Sequence, residues 1–134
     1  MAETMSPQEE ARQAAIRAAL AELQAEYAEG LPALVADLSA AVDAACGSCA
    51  QPEVRHLLTL VHRMHGAAGS YGFKGVSAAA GELEVFMTAH EQSKKPFDEA
   101  AVAQVRTSLA KVKEVAEREL AELAPSTSAG DEAV

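Results

Sequence analysis

Residues Pro52 to Gly72 read PEVRHLLTLVHRMHGAAGSYG. Within them Val54, Leu57, Val61, Met64, Ala68 and Tyr71 recur at spacings of three, four, three, four and three. That is the period of one buried face of an α-helix, and it does not fit a half-buried strand, whose apolar residues alternate. Pro52 stands at a favoured first-turn position. The stretch predicts a helix over about 52–72, closed by Gly72-Phe73-Lys74-Gly75.

The same period continues on both sides. Downstream, Val76, Ala80, Leu83, Met87 and His90 share one side of a helix over about 76–92, and Ser93 to Pro96 reads as a loop. Val102, Val105, Leu109, Val112, Ala116, Leu120 and Leu123 mark a last helix from near Asp98 to about 123. Upstream, Leu31, Leu34, Leu38 and Val42, with Val35 beside them, mark a helix over about 31–45, and Cys46 to Gln51 reads as a loop. Ahead of that, Ser6, Pro7 and Glu9 combine a capping serine, a first-turn proline and a capping-box glutamate. Ile16, Leu20, Leu23 and Tyr27 then share a face, which predicts a further helix over 6–29. Gly30 is its expected stop, and Pro32 the first-turn residue of the next helix.

No segment alternates with period two, no hairpin signal occurs, and there is no internal repeat. The expected fold class is all-α: an antiparallel up-and-down four-helix bundle over 31–123 with an additional N-terminal helix over 6–29, together one domain over 1–123. The tail APSTSAGDEAV, residues 124–134, has no apolar period and reads as disordered or a linker.

Composition agrees with a single helical domain. The chain has 134 residues, of which 49% are hydrophobic, with alanine dominant, 4% aromatic and no tryptophan. Small side chains suit helices that approach to ~8–10 Å. The net charge of -9 and pI near 4.8 make nucleic acid and anionic lipid poor partners, because like charge repels. No apolar run approaches the ~20 residues that span a bilayer, and the polar start MAETMSPQEEARQ is not a signal peptide. A cytoplasmic protein acting away from the membrane is expected. Cys46 and Cys49 form a Cys-Gly-Ser-Cys motif. No strand precedes it, as a redox pair in a βα context requires, and a zinc site has only His56 as a nearby further ligand. Two small residues at a helix end account for it as well.

One feature of the 52–72 stretch is not core. Gly66 and Gly69 lie inside a helical stripe, where each costs ~1 kcal/mol relative to alanine. From His62, glycines fall at plus four, plus seven and plus ten (Gly66, Gly69, Gly72), positions that stack on one helical face. His62 sits one place from the core stripe, at the solvent boundary. The glycines could serve close approach of another helix, leaving His62 an ordinary surface histidine. They could also keep the histidine's face clear for a partner.

This stretch resembles the histidine phosphotransfer (HPt) family, whose pattern is His, any residue, aliphatic, Lys, Gly, then small residues with further glycine. His62 takes the phosphohistidine position, Met64 the aliphatic one and Gly66 that of the glycine. Ala68-Gly69-Ser70-Tyr71-Gly72-Phe73 is similar to the P1 phosphoacceptor domain of CheA-type chemotaxis kinases. His65 stands where the family has a lysine beside the phosphoryl group, which makes His65 a candidate phosphoryl neighbour; Arg63 and Lys74 are further cations nearby. The resemblance also implies that Glu84, twenty-two residues after His62, bonds the imidazole and orients it. His65 as acceptor would put the glycines at plus one, plus four and plus seven, out of the family's register. A His62/His65 metal pair lacks evident further ligands.

The resemblance implies a phosphorelay carrier in two-component signalling. The partners it implies are a histidine kinase and a response-regulator receiver domain, the latter bringing an aspartate and Mg²⁺ during transfer. No cofactor of the chain's own is expected. The sequence holds no Gly-rich phosphate loop, no kinase nucleotide signature and no acidic metal cluster, so the chain is expected to carry phosphoryl groups without an ATP site. Gly66, Gly69 and Gly72 form the expected docking strip, with Leu58, Tyr71 and Phe73 at its rim and Arg63 and Lys74 beside it. A monomer is expected. Two other readings stay open: the P1 domain of a larger CheA-like kinase, and a helical adaptor that binds without phosphorylation.

Overall fold

The computed structural model describes residues 5–123, all of them helix, turn or loop with no strand. The residues expected to form the tail, 124–134, lie outside the described residues, as do 1–4. Four helices follow one another: α1 (Pro7–Ser48), α2 (Gln51–Ser70), α3 (Lys74–Ser93) and α4 (Glu99–Leu123).

The two helices expected over 6–29 and 31–45 are one. α1 runs 42 residues and passes through both Gly30 and Pro32. The proline has no N–H for the carbonyl one turn back, a defect that ordinarily costs ~3 kcal/mol in a helix interior. Contacts on both sides of it hold the helix straight through. Before the proline, Gln24 Nε2 donates to the Tyr71 carbonyl at 3.0 Å, and Tyr27 stacks on Tyr71 with ring centroids 5.1 Å apart. Next to it Leu31, and beyond it Leu38 and Val42, are buried in the core. Gly30 keeps a negative φ and has open space around it, so it does not act as a stop. The additional N-terminal helix is therefore the first half of α1, begun by the expected capping box between Ser6 and Glu9.

That half reaches beyond the bundle. Every residue from Met5 to Leu23 is exposed, and Ile16, Leu20 and Leu23 lie open on their stripe. By length and composition alone α1 is long and apolar enough to cross a membrane, with an 18-residue window of mean hydropathy 1.3. Leu31, Leu38, Ala41, Val42 and Ala45 of that helix are buried in the bundle core, which gives the apolar residues a use inside the fold.

The core is formed by the stripes that the spacing predicts. Leu57, Val61, Met64 and Ala68 of α2 meet Val76, Ala80, Leu83 and Met87 of α3, Val105, Leu109, Val112 and Ala116 of α4, and the α1 residues above. Partners along the seams ascend on one helix as they descend on the next. Arg55 meets Glu91, His62 meets Glu84 and His65 meets Ser77 across α2 and α3, while Glu119 meets Gly75 and Lys111 meets Glu82 across α4 and α3.

The α2–α3 turn is built tightly. Gly72 takes φ 88°, which glycine adopts without penalty, and Phe73 N–H donates to the Ala68 carbonyl at 2.8 Å. This turns Phe73 inward, where it is 2% exposed. The start of α3 has no side-chain cap of its own. Glu119 of α4 supplies it, accepting from Gly75 N–H at 2.8 Å and Val76 N–H at 3.0 Å, an anion at the positive end of a helix. Gly75 leaves the room for it, since a Cβ there would lie 2.7 Å from Val115 Cγ1.

Stability should follow this division of α1 and the core. Leu83→Ala, at a fully buried α3 position, is expected to lower the unfolding free energy by about 2–5 kcal/mol in urea titration, whereas Leu20→Ala on the open half of α1 should change it by less than about 0.5 kcal/mol.

Candidate functional site

α2 and α3 form an outward-facing groove, and two histidines of α2 stand in it. His62 lies one position from the buried Val61, so the helix turns its side chain out; the side chain is 72% exposed. Its Nδ1 lies 2.5 Å from Glu84 Oε2, and the glutamate side chain is 22% exposed. A carboxylate only accepts, so Nδ1 carries the proton, and in the neutral ring Nε2 then keeps the lone pair. The ring is thus held from one edge by α3 and open to solvent at the other.

His65, one turn on, faces α3 in a different way. Its Nδ1–H donates to the Ser77 carbonyl at 2.8 Å, and the Ser77 hydroxyl donates back to the His65 carbonyl at 2.8 Å. The ring lies over Gly81, where a Cβ would come within 2.9 Å of its Cε1 and Nδ1. Ser77, Gly81 and Glu84 sit four and three apart on α3 and form the groove's second wall. The sequence reading missed Ser77 and Gly81. Their 4,3 spacing in step with Glu84 is the signal that would have found them.

The three glycines beside His62 do different work. Gly66 alone is open, with nothing within 4 Å of an added Cβ. Gly69 faces α3, where a Cβ would meet Ser77 Oγ at 3.0 Å. Gly72 lies beyond the end of α2, in the turn, and a Cβ there would meet Gln24 Nε2 at 2.7 Å. The expected continuous bare strip is therefore one open glycine, one packing glycine and one turn glycine.

The other residues singled out from the sequence are scattered around this groove. Leu58 is half-buried one turn before His62. Phe73 is buried and belongs to the core, which corrects its expected place at a docking rim. Tyr71 is half-buried and stacked on Tyr27. Arg63 is exposed but lines the α1–α2 groove with Tyr27 and Asp37, away from Glu84. Lys74 is exposed at the first position of α3. Burial pushes the Tyr27 hydroxyl's pKa up, with a smaller contribution from Tyr71, and the hydroxyl has no hydrogen-bond partner among the described residues.

The two cysteines are free thiols at the end of α1. Cys49 adopts a left-handed conformation (φ 53°) and closes the helix, its N–H donating to the Ala45 carbonyl at 2.8 Å. Burial raises the Cys46 pKa, which disfavours the reactive thiolate. No group of three His, Cys, Asp or Glu side chains able to hold a metal ion occurs among the described residues.

Residues 22–115 match the family model described as Hpt domain. The match begins close to where α1 reaches the bundle and ends within α4, and it contains the whole His62 groove. No curated protein and no solved structure matches the chain.

The differing surroundings of the glycines set an order of stabilities. Gly66→Ala should raise the unfolding free energy by about 0.5–1 kcal/mol, because it improves helix propensity in open space. Gly69→Ala should gain less, and Gly72→Ala should destabilise, since it meets both a positive φ and Gln24. Thermal and urea denaturation of the three variants checks the order.

Proposed function

The chain belongs to the Hpt domain family, and from that we propose that His62 is its phosphoacceptor, with Glu84 orienting the ring. Histidine phosphotransfer in a phosphorelay is the work of the family. The observation that carries the assignment to His62 is the pairing of Nδ1 with Glu84 at 2.5 Å while the ring's other edge stays in solvent.

The chemistry follows from that geometry. The Nε2 lone pair attacks the phosphorus of an aspartyl phosphate on a receiver domain. The phosphorus–carboxylate oxygen bond breaks, the carboxylate leaves with its electron pair, and an Nε2–phosphorus bond forms. Nδ1 keeps its proton throughout, so the ring gains positive charge, and the Glu84 carboxylate beside it offsets that charge. Mg²⁺ held by the partner would neutralise the phosphoryl oxygens during transfer. The reverse transfer uses the same atoms. A protonated Nε2 has no lone pair, so transfer requires the neutral ring.

The partners we propose are a histidine kinase and a response-regulator receiver domain, in the cytoplasm. In this reading the bundle is antiparallel and up-and-down, and His62, Gly66 and Ser70, exposed and four apart on α2, are the face offered to the receiver. Open space at Gly66 supports close approach of a partner backbone there. In this reading His65 is not a simple substitute for the family's lysine. Its Nδ1–H is committed to Ser77, so as a neutral ring it offers the phosphoryl group an acceptor where the lysine offers a charged donor. The glutamate contact also favours a second reading, the P1 domain of a CheA-like kinase, because that subfamily's resemblance is what singled out Glu84. The length of the full gene separates the two readings.

Incubation with a phosphorylated receiver or a cognate kinase should place an acid-labile, base-stable label on the chain. His62→Gln should abolish the label and His65→Gln should retain it. Glu84→Ala should slow transfer by about 10-fold or more, in the range of lost orienting partners. Undiminished label in His62→Gln, or partner binding with no label from any donor, would replace the carrier with another reading.

A further inference from the structure

The charge of this chain is unevenly placed. A cavity of about 580 Å³ opens at the end of the α2–α3 groove opposite the Gly72 turn, with Arg55, Lys94 and Lys95 at its sides and Val54, Met87 and Phe97 among its apolar lining. The chain as a whole carries 20 acidic and 11 basic residues, so three cations around one opening stand against its balance. Glu91 lies in the same lining and reaches Arg55 at 3.5 Å. Among the described residues neither lysine makes an ion pair, whereas Arg106 and Lys111 pair with Asp43 and Glu82. Lys94 ends α3 in a left-handed conformation (φ 59°), which turns the chain so that both lysines line the opening.

This opening lies along the same α2–α3 seam as His62, since Arg55 meets Glu91 and His62 meets Glu84 across it. Arg55 precedes His62 by seven residues, two helical turns or ~10 Å along α2, and falls on the same face. Glu91 follows Glu84 by the same interval on α3. A specific partner covers about 800 Å² of each surface, so a body seated over His62 reaches the cationic end as well.

We propose that Arg55, Lys94 and Lys95 form an electrostatic anchor for an acidic rim of the receiver domain that docks over His62. The inference rests on the carrier reading. A phosphorylated aspartate site is anionic, and most of this chain's surface repels it. Cations at one end of the groove attract the partner and fix which way round it lies, which acts chiefly on the association rate. The apolar lining between them gives a partner side chain a place to bury once charge has brought it near.

The test compares a protein donor with a small one. Phosphoramidate transfers its phosphoryl group to an imidazole nitrogen with release of ammonia and needs no docking surface. In Lys94→Glu/Lys95→Glu, labelling of His62 by phosphoramidate should match the wild type. The second-order rate of exchange with the receiver should fall at least 10-fold at low ionic strength, and the gap should narrow as salt is added. Lys95→Glu alone, which leaves the left-handed position untouched, should give a smaller fall in the same direction. Unchanged receiver exchange and unchanged salt dependence in both variants would overturn the anchor while leaving the carrier intact. Wild-type protein that neither donor labels would overturn the carrier reading, and the anchor with it.

Discussion

The close approach of α2 to α3 is the constraint on which the site depends. Small residues allow it: Gly69 faces Ser77 on one side of the seam, and Gly81 faces the His65 ring on the other. Side chains larger than alanine at either place would push the helices apart. Glu84 would then no longer reach the His62 imidazole. The reciprocal bonds between His65 and Ser77 fix the register of the two helices one turn from that contact. The apolar stripes beneath, through Val61, Met64, Ala80 and Leu83, hold the same two helices from the inside. The packing of the two helices and the contact between His62 and Glu84 thus meet at a single seam, on a histidine that stays exposed.

Much of this was legible in the sequence, for a physical reason. A helix that buries one face must place its apolar residues three and four apart, so the cores of α2, α3 and α4 could be read almost residue by residue. The join at Gly30 and Pro32 could not. Both residues are punctuation by local propensity, and what overrides them is tertiary: Gln24 and Tyr27 reach the α2–α3 turn, and Leu31 enters the core. Phe73 was misplaced for a similar reason, since the turn at Gly72 swings it inward and no periodicity extends through a turn.

Around the candidate site, spacing revealed His62 and its glycines but treated three different glycines as one strip. Local sequence cannot show that Gly66 is open, that Gly69 packs on α3, and that Gly72 belongs to the turn. Glu84 was found only through resemblance, because a contact across twenty-two residues has no periodic signature in one chain. The cap that Glu119 lends to α3 was invisible for the same reason. Contacts between helices specify this site, and stripes within helices specify the scaffold that brings them together.

The central claim is that Glu84 holds the His62 imidazole with its proton on Nδ1 and its lone pair on Nε2. Long-range ¹H–¹⁵N NMR of the histidine rings reads this directly. The account predicts a protonated Nδ1 and an unprotonated Nε2 for neutral His62, with that preference lost in Glu84→Ala. A neutral His62 protonated on Nε2, or a tautomer unaffected by removal of Glu84, would contradict it.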